Sequence, residues 1–389
     1  MPELLDFHFR PSSRYQLVRL EQLAEVERDT LKDLGSDPDF YGLLVSENRS
    51  LSPRAISQET ALLLLSLGQG SPIPDYFRHR QPDDAERHVR ELVVDGALEI
   101  KLGDRFLSGA SASQSLGWFE VPELNDDAIS RLTIDAMRYA ETLEGLDATS
   151  LSARLYFYNR IPLTPEAKLK YRAERKMRNV LGLSDAEPTG AILGRLWSEV
   201  RLTPPNDGWL MWQYRGGERL DSETRPTFKL YISPTLEALP AAFAAVVRVL
   251  TQLGGPRFKV GRNVFGVLRP DKIVAYFGSE EALLQAADLL AEELRGVPAH
   301  GVPFSASFDD GGLISWGVDP PKTTKMLAWQ ETETWRLWLT NRVAVALLQA
   351  RADNAPLPPW QCALQRLERH GVDVTTWTMR GDLDEGETA

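Results

Sequence analysis

The chain is 389 residues long, 43% hydrophobic and 25% charged, proportions that support large apolar cores and exclude disorder as its default state. A formal net charge of −11 argues against a general nucleic-acid binder. The single cysteine, Cys362, excludes an intramolecular disulfide framework and a cysteine-rich zinc site, and fits a reducing, cytoplasmic setting.

Asp6 and Arg10 interrupt the opening residues, so they do not read as a signal peptide. The longest apolar stretch, residues 61–67, is far too short to span a bilayer, so no membrane partner is expected. The charge is unevenly spread. Residues 154–272 carry 20 Lys+Arg against 11 Asp+Glu, a local net of +9 that leaves −20 for the remainder. Such segregation either sets an electropositive site before an acidic partner or scatters over a solvated surface.

In chain order, residues 1–50 read as polar helix and loop. A compact unit follows over 51–115. It has an apolar helical run at 58–67, and a second helix opened by Pro82-Asp83-Asp84 and ended by Gly96. Strands at 97–101 and 105–108 then flank the turn Leu102-Gly103-Asp104. Helices followed by a two-stranded wing describe a winged-helix-like unit. Its second helix bears Asp83, Asp84, Glu86, Glu91 and Asp95, the wrong sign for facing phosphates. A peptide-docking or a purely structural module remains.

Residues 111–115 read as a small-residue linker, and a helical linker follows over 116–150, with 124–147 helical. Beyond it come a strand at 154–158, a basic helix at 168–180, and strands at 209–213, 228–232, 258–260 and 272–277. Helices are expected at 240–253, 280–294 and 335–350. The strand–helix–strand unit occurs twice, over 228–260 and 272–304. The expected fold class is α+β. A winged-helix-like domain over 1–115 and the helical linker precede a larger mixed α/β domain over 151–352, whose helices pack on a β-sheet. A C-terminal extension covers 353–389.

Common nucleotide motifs are absent. The five histidines show no paired metal-ligand spacing, and no nucleophile elbow is present. What remains is a set of cations on or beside strands. In 228–232 (FKLYI), alternation puts Lys229 and Tyr231 opposite Phe228, Leu230 and Ile232. In 258–260 (FKV), Lys259 opposes two apolar neighbours, and Arg262 follows. Arg269 and Lys272 precede the next strand. If the strands are neighbours, Lys229, Lys259, Arg262, Arg269 and Lys272 converge on an anion. Crowding would also depress a lysine pKa into the range of a general base. Taken singly, each reads more readily as a surface cation snorkelling from an amphipathic strand, whereas Lys229 and Lys259 together, set in aromatic strands, favour the anion site. His300, before a glycine, is either a general acid or a satisfied histidine at a turn. Trp316 and Asp319 line a pocket or fix a turn. Arg336 and Arg342 reach an anion or pair with Asp319 or Glu333.

These stretches, FKLYI, FKV, residues 268–277 (LRPDKIVAYF), residues 301–304 (GVPF), the Trp316-Gly317 to Pro321 loop and an arginine-bearing last helix, occur in an order that resembles the HopA-type effector family. The resemblance covers roughly residues 150–350. Relatives of that family in class V lanthipeptide and thioamitide gene clusters are assigned as lyases. They eliminate phosphate from phosphoserine or phosphothreonine after a partner kinase has modified a ribosomally made precursor peptide.

The resemblance implies a metal-independent carbon–oxygen lyase with no cofactor. Lys259 is the first choice as base and Lys229 the second, and His300 is the acid. Arg262, Arg269, Lys272 and Tyr231 would hold the phosphate. It also implies that the N-terminal unit resembles a leader-peptide recognition module. Two other readings stay open: a non-catalytic protein that presents a phosphorylated or acidic peptide to a partner enzyme, and a host-directed interaction protein.

Overall fold

The computed structural model describes residues 3–23, 28, 37–46, 54–78, 82–118, 123–202, 208–216, 227–255, 257–320, 333–352 and 357–380. The mixed helix-and-sheet class expected from the sequence is what it shows.

The N-terminal region contains β1 (His8–Pro11), β2 (Tyr15–Val18), β3 (Phe40–Ser46), β4 (Arg54–Ser57), α1 (Gln58–Leu67), β5 (Ser71–Pro72), α2 (Asp75–Arg78), α3 (Pro82–Val94), β6 (Leu98–Leu102), β7 (Arg105–Leu107) and α4 (Gly109–Ser115). Ser57 caps α1 by accepting from the Thr60 backbone N–H at 3.1 Å. Both expected helices and the β6–β7 hairpin are present. Two expectations are corrected. Residues 1–50 contribute strands, because β1 pairs with β6 (Phe9 opposite Ile100) and a four-stranded sheet forms in the order β5-β1-β6-β7. β2, β3 and β4 form a separate three-stranded sheet. Short strands of this kind are specified by partners elsewhere in the chain, which local pattern does not reveal. The presumed linker at 111–115 belongs to α4, whose small residues Ala112 and Ser113 are fully buried.

The helical region comprises α5 (Ala128–Glu141), α6 (Ala148–Tyr156), α7 (Pro165–Tyr171), α8 (Glu174–Val180) and α9 (Pro188–Leu196). The strand expected at 154–158 is instead the end of α6 and the turn after it. Asp147 caps this helix by accepting from Ser150 N–H at 2.7 Å, and Leu151 and Leu155 bury one face at i, i+4 spacing. The single basic helix expected at 168–180 is two, α7 and α8, because Ala173 is extended (φ −123°, ψ 145°).

The large sheet runs β13-β14-β10-β12-β11-β9-β8. Its strands are β8 (Trp197–Val200), β9 (Trp209–Tyr214), β10 (Phe228–Ile232), β11 (Arg257–Gly261), β12 (Ile273–Phe277), β13 (Ala306–Ser307) and β14 (Ile314–Val318). Strand β12 lies between β10 and β11 and is antiparallel to both. Helices α10 (Leu239–Leu253) and α12 (Glu280–Glu293) cover one face, where Leu230, Ile232, Phe258, Val260, Ile273 and Phe277 form the main core with Phe243, Leu250 and Leu290.

The second strand–helix–strand unit stops short of its final strand. Residues 299–304 pair only through a bridge between Pro234 and Ala299. The short helix α11 (Val264–Val267) follows β11 at a close backbone crossing, where a Cβ on Gly261 would lie 2.5 Å from the Gly266 carbonyl carbon. Helices α13 (Trp335–Ala352) and α14 (Pro359–Arg369) join α5 and α6 around Phe304, Trp335, Leu339, Leu364 and Trp377. The small ribbon β15 (Val372–Asp373) and β16 (Thr378–Met379) follows. Among the described residues, no helix is long and apolar enough to cross a membrane.

Candidate anion site

The face of the large sheet opposite α10 and α12 is where the cations gather. Strand alternation places Lys229 and Tyr231 of β10, Val274 and Tyr276 of β12, and Arg257 and Lys259 of β11 on that face. Register sets Lys229 and Arg257 on either side of Tyr276, and Tyr231 and Lys259 on either side of Val274. Three charged groups surround the Tyr276 ring. Arg257 Cζ lies 4.7 Å from its centroid, Lys259 Nζ 5.6 Å and Lys229 Nζ 5.9 Å. Lys259 Nζ also lies 4.2 Å from the Trp209 ring centroid, and the Arg269 guanidinium is 5.0 Å from the same indole.

Two carboxylates answer part of this charge. Asp319 accepts from Lys229 Nζ through both oxygens, at 2.6 and 2.5 Å, and also from the Trp335 backbone N–H at 3.1 Å. Asp271 takes a bidentate pair from Arg269, with Nε and Nη2 both at 2.8 Å. Its Oδ2 is also 3.2 Å from Arg336 Nη1. Arg336, only 1% exposed, donates to the carbonyls of Pro303 and Tyr156 at 2.9 Å each. The Tyr156 hydroxyl accepts from Arg269 Nη2 at 3.1 Å. Lys229, Arg257, Lys259, Arg269 and Arg336 thus face Asp271 and Asp319, leaving three positive charges in excess.

Lys259, Arg257 and the second of the two guanidiniums that share Asp271 carry that excess. Among the described residues, neither Lys259 nor Arg257 forms a hydrogen bond or ion pair, and Arg257 Nε is buried without an acceptor. Burial, reinforced by Lys229 and Arg269 against the pull of Asp271, brings Lys259 down to about 8. Lys229 is also lowered by burial, with Asp319 opposing. Burial works against ionisation of Asp271, but Arg269 and Arg336 prevail and hold its carboxyl far below the usual range. Burial raises the phenols of Tyr231 and Tyr276, so both stay neutral hydroxyls.

Of the residues singled out in the sequence, the structure brings together Lys229, Lys259, Arg269 and Tyr231. It does not bring Arg262, Lys272 or His300 to the same point. Arg262 turns away to α8, where Nε donates to Glu174 Oε2 at 2.6 Å. Lys272 is fully buried, with Nζ 2.7 Å from His300 Nδ1 and 3.4 Å from Ser233 Oγ. Burial takes this lysine down to about 7, and burial together with Lys272 takes His300 down to about 3. The imidazole is therefore neutral at neutral pH and hydrogen-bonded through Nδ1 to the lysine. Arg342 pairs with Glu333 at 3.6 Å and lies 3.7 Å from the Trp338 ring.

Arg257, Trp209, Tyr276, Tyr156 and Asp271 join the site without having been expected there. Arg257 is within reach of the same reasoning, since it stands two positions before Lys259 and alternation gives both one face. Among the described residues, no cluster of three or more His, Cys, Asp or Glu could hold a metal ion.

No protein-family model and no curated protein matches the chain. Similar solved structures include the effector protein from Pseudomonas syringae pv. tomato strain DC3000, at 13% identity and a TM-score of 0.40. That match covers 65% of this chain and 98% of that one. The type III effector and phosphothreonine lyase OspF from Shigella flexneri is similar at 17% identity and a TM-score of 0.26, over 36% of this chain and 76% of that one. The Chromobacterium violaceum VirA (SpvC) phosphothreonine lyase effector gives 16% identity and a TM-score of 0.24, with the same coverage.

Proposed function

We propose that the protein eliminates phosphate from phosphoserine or phosphothreonine in a peptide. The observation that carries this reading is Lys259: a half-buried lysine with no counter-ion among the described residues, lowered to about 8, in a cluster of surplus positive charge. At pH 7 about a tenth of such a lysine is the free amine, roughly three-hundredfold more than for an ordinary lysine near 10.5.

In the proposed step, neutral Lys259 Nζ takes the Cα proton, and the electrons of that C–H bond form the Cα=Cβ double bond. The Cβ–O bond breaks, and its pair leaves on the phosphate oxygen. Arg257, Arg269 and Lys229 offset the charge gathering there, and the Lys229 ammonium can pass a proton to the departing oxygen. Arg257 Nε has no acceptor among the described residues, so binding phosphate would satisfy it. The substrate we propose is a ribosomally made precursor peptide phosphorylated by a partner kinase, with residues 1–115 docking its unmodified part.

The pH profile tests the assignment of the base. The free amine is the active form, so kcat/KM on a synthetic phosphopeptide should rise with pH and level off above about 8, because that quantity reports the free enzyme. A rate independent of pH between 6 and about 9 would remove Lys259 from the role.

A further inference from the structure

Next to the anion site, the surface carries an aromatic rim around a cation that the proposed chemistry does not use. The turn after α6 presents Phe157, 39% exposed, and α11 presents Phe265, 60% exposed. The Arg160 guanidinium lies between them, 5.8 Å from each ring centroid, and donates through Nη2 to the Phe265 carbonyl at 3.2 Å. Among the described residues, Arg160 has no carboxylate partner.

The rim is fixed in place. Asn159, in the left-handed region at φ 63°, donates its amide to the carbonyls of His300 and Gly301 at 2.8 and 3.2 Å. The Ile161 N–H is held by the Leu268 carbonyl at 2.9 Å. The rim is also continuous with the site. Arg269 Cζ lies 5.3 Å from the Phe157 centroid, and Arg160 is lowered by burial and then by Arg269. Sharing that ring, the two guanidiniums lie within about 11 Å of each other, the reach of two to three residues of extended chain at ~3.4 Å per residue. Beyond Arg160 the surface stays basic. Residues 160–178 carry seven Lys+Arg against two Asp+Glu, in a chain whose net charge is −11.

We propose that Arg160, framed by Phe157 and Phe265, is a specificity residue that binds an acidic side chain two or three positions from the phosphorylated residue of the substrate peptide. The inference rests on the phosphopeptide reading above. Charge complementarity and continuity with the anion site commit the rim to the substrate's own flanking segment. A carboxylate there would meet a guanidinium already held by a backbone carbonyl and two rings. That spares part of the ordering cost of a free surface arginine.

The test separates binding from chemistry. Peptides carrying α-methylphosphoserine have no Cα proton to lose, so fluorescence anisotropy reads affinity alone. One Glu is moved through the positions within three residues on either side, against an all-Ala reference. The wild type should bind the best Glu peptide about fivefold more tightly than the reference, the scale of one well-placed exposed ion pair. Arg160→Ala should erase that preference and leave affinity for the reference peptide unchanged, and Arg160→Lys should restore part of it.

Equal binding of all the peptides by the wild type, or a preference that survives in Arg160→Ala, would overturn the proposal. A flank preference without phosphate loss from ordinary phosphoserine peptides would leave the rim standing and defeat the lyase reading. Phosphate loss without a flank preference would do the reverse.

Discussion

Lys259→Met is expected to lower the rate of phosphate loss from a phosphopeptide by about 10²–10⁴, the usual cost of removing a positioned base. Methionine keeps an unbranched stem beside Trp209 and Tyr276, whose ring centroids lie 4.2 and 5.6 Å from the lysine ammonium. Folding should therefore survive, and melting temperature should change little. Affinity should fall far less than rate, because Arg257, Arg269 and Lys229 remain to hold phosphate. Wild-type turnover in this variant would move the base elsewhere, and Lys229, with Asp319 as its counter-ion, would be the next residue to replace.

Asp271→Asn is expected to cost about 3–5 kcal/mol of folding stability, the range for removing one partner of a buried charge network. The carboxylate is 5% exposed and receives two hydrogen bonds from Arg269, with Arg336 Nη1 at 3.2 Å. Without it, two guanidiniums lose their counter-ion, one of them 1% exposed, and the excess charge of the cluster grows by one. The urea midpoint should drop without a change in slope. Arg262→Ala is the contrast, because its pair with Glu174 is partly exposed on both sides and is worth at most about 1 kcal/mol. A loss below about 1 kcal/mol in Asp271→Asn would mean that the network contributes little to the fold.

The large sheet and half of the site are legible in the amino-acid sequence. FKLYI and FKV each place one lysine against apolar neighbours, and a sheet with one covered face must turn both lysines to the other. Their closeness then depends on β12 lying between the two strands. The turn geometry after each strand is not legible. Arg262 is two positions past Val260 and is expected at the anion, yet its partner is Glu174, 88 residues earlier. Lys272 groups with the other cations because it precedes a strand, but it ends against His300 in a buried pocket of its own. At 154–158, aromatic and β-prone residues suggest a strand, and the Asp147 cap with the Leu151–Leu155 pair outweighs them. For Arg262 and Lys272 the deciding partner lies outside the window in which a pattern can be read; at 154–158 it lies inside that window, in the cap and the leucine pair.

In the proposed reaction phosphate leaves by elimination, and the product distinguishes this from hydrolysis. A phosphoserine or phosphothreonine peptide is incubated with the protein in water enriched in ¹⁸O and analysed by mass spectrometry. Elimination predicts a peptide lighter by one phosphoric acid, carrying a dehydroamino acid at the modified position and no ¹⁸O label in either product. A peptide that regains a hydroxyl, with label in the hydroxyl or in the released phosphate, would show hydrolysis and contradict the account. So would a phosphopeptide that binds and is recovered unchanged.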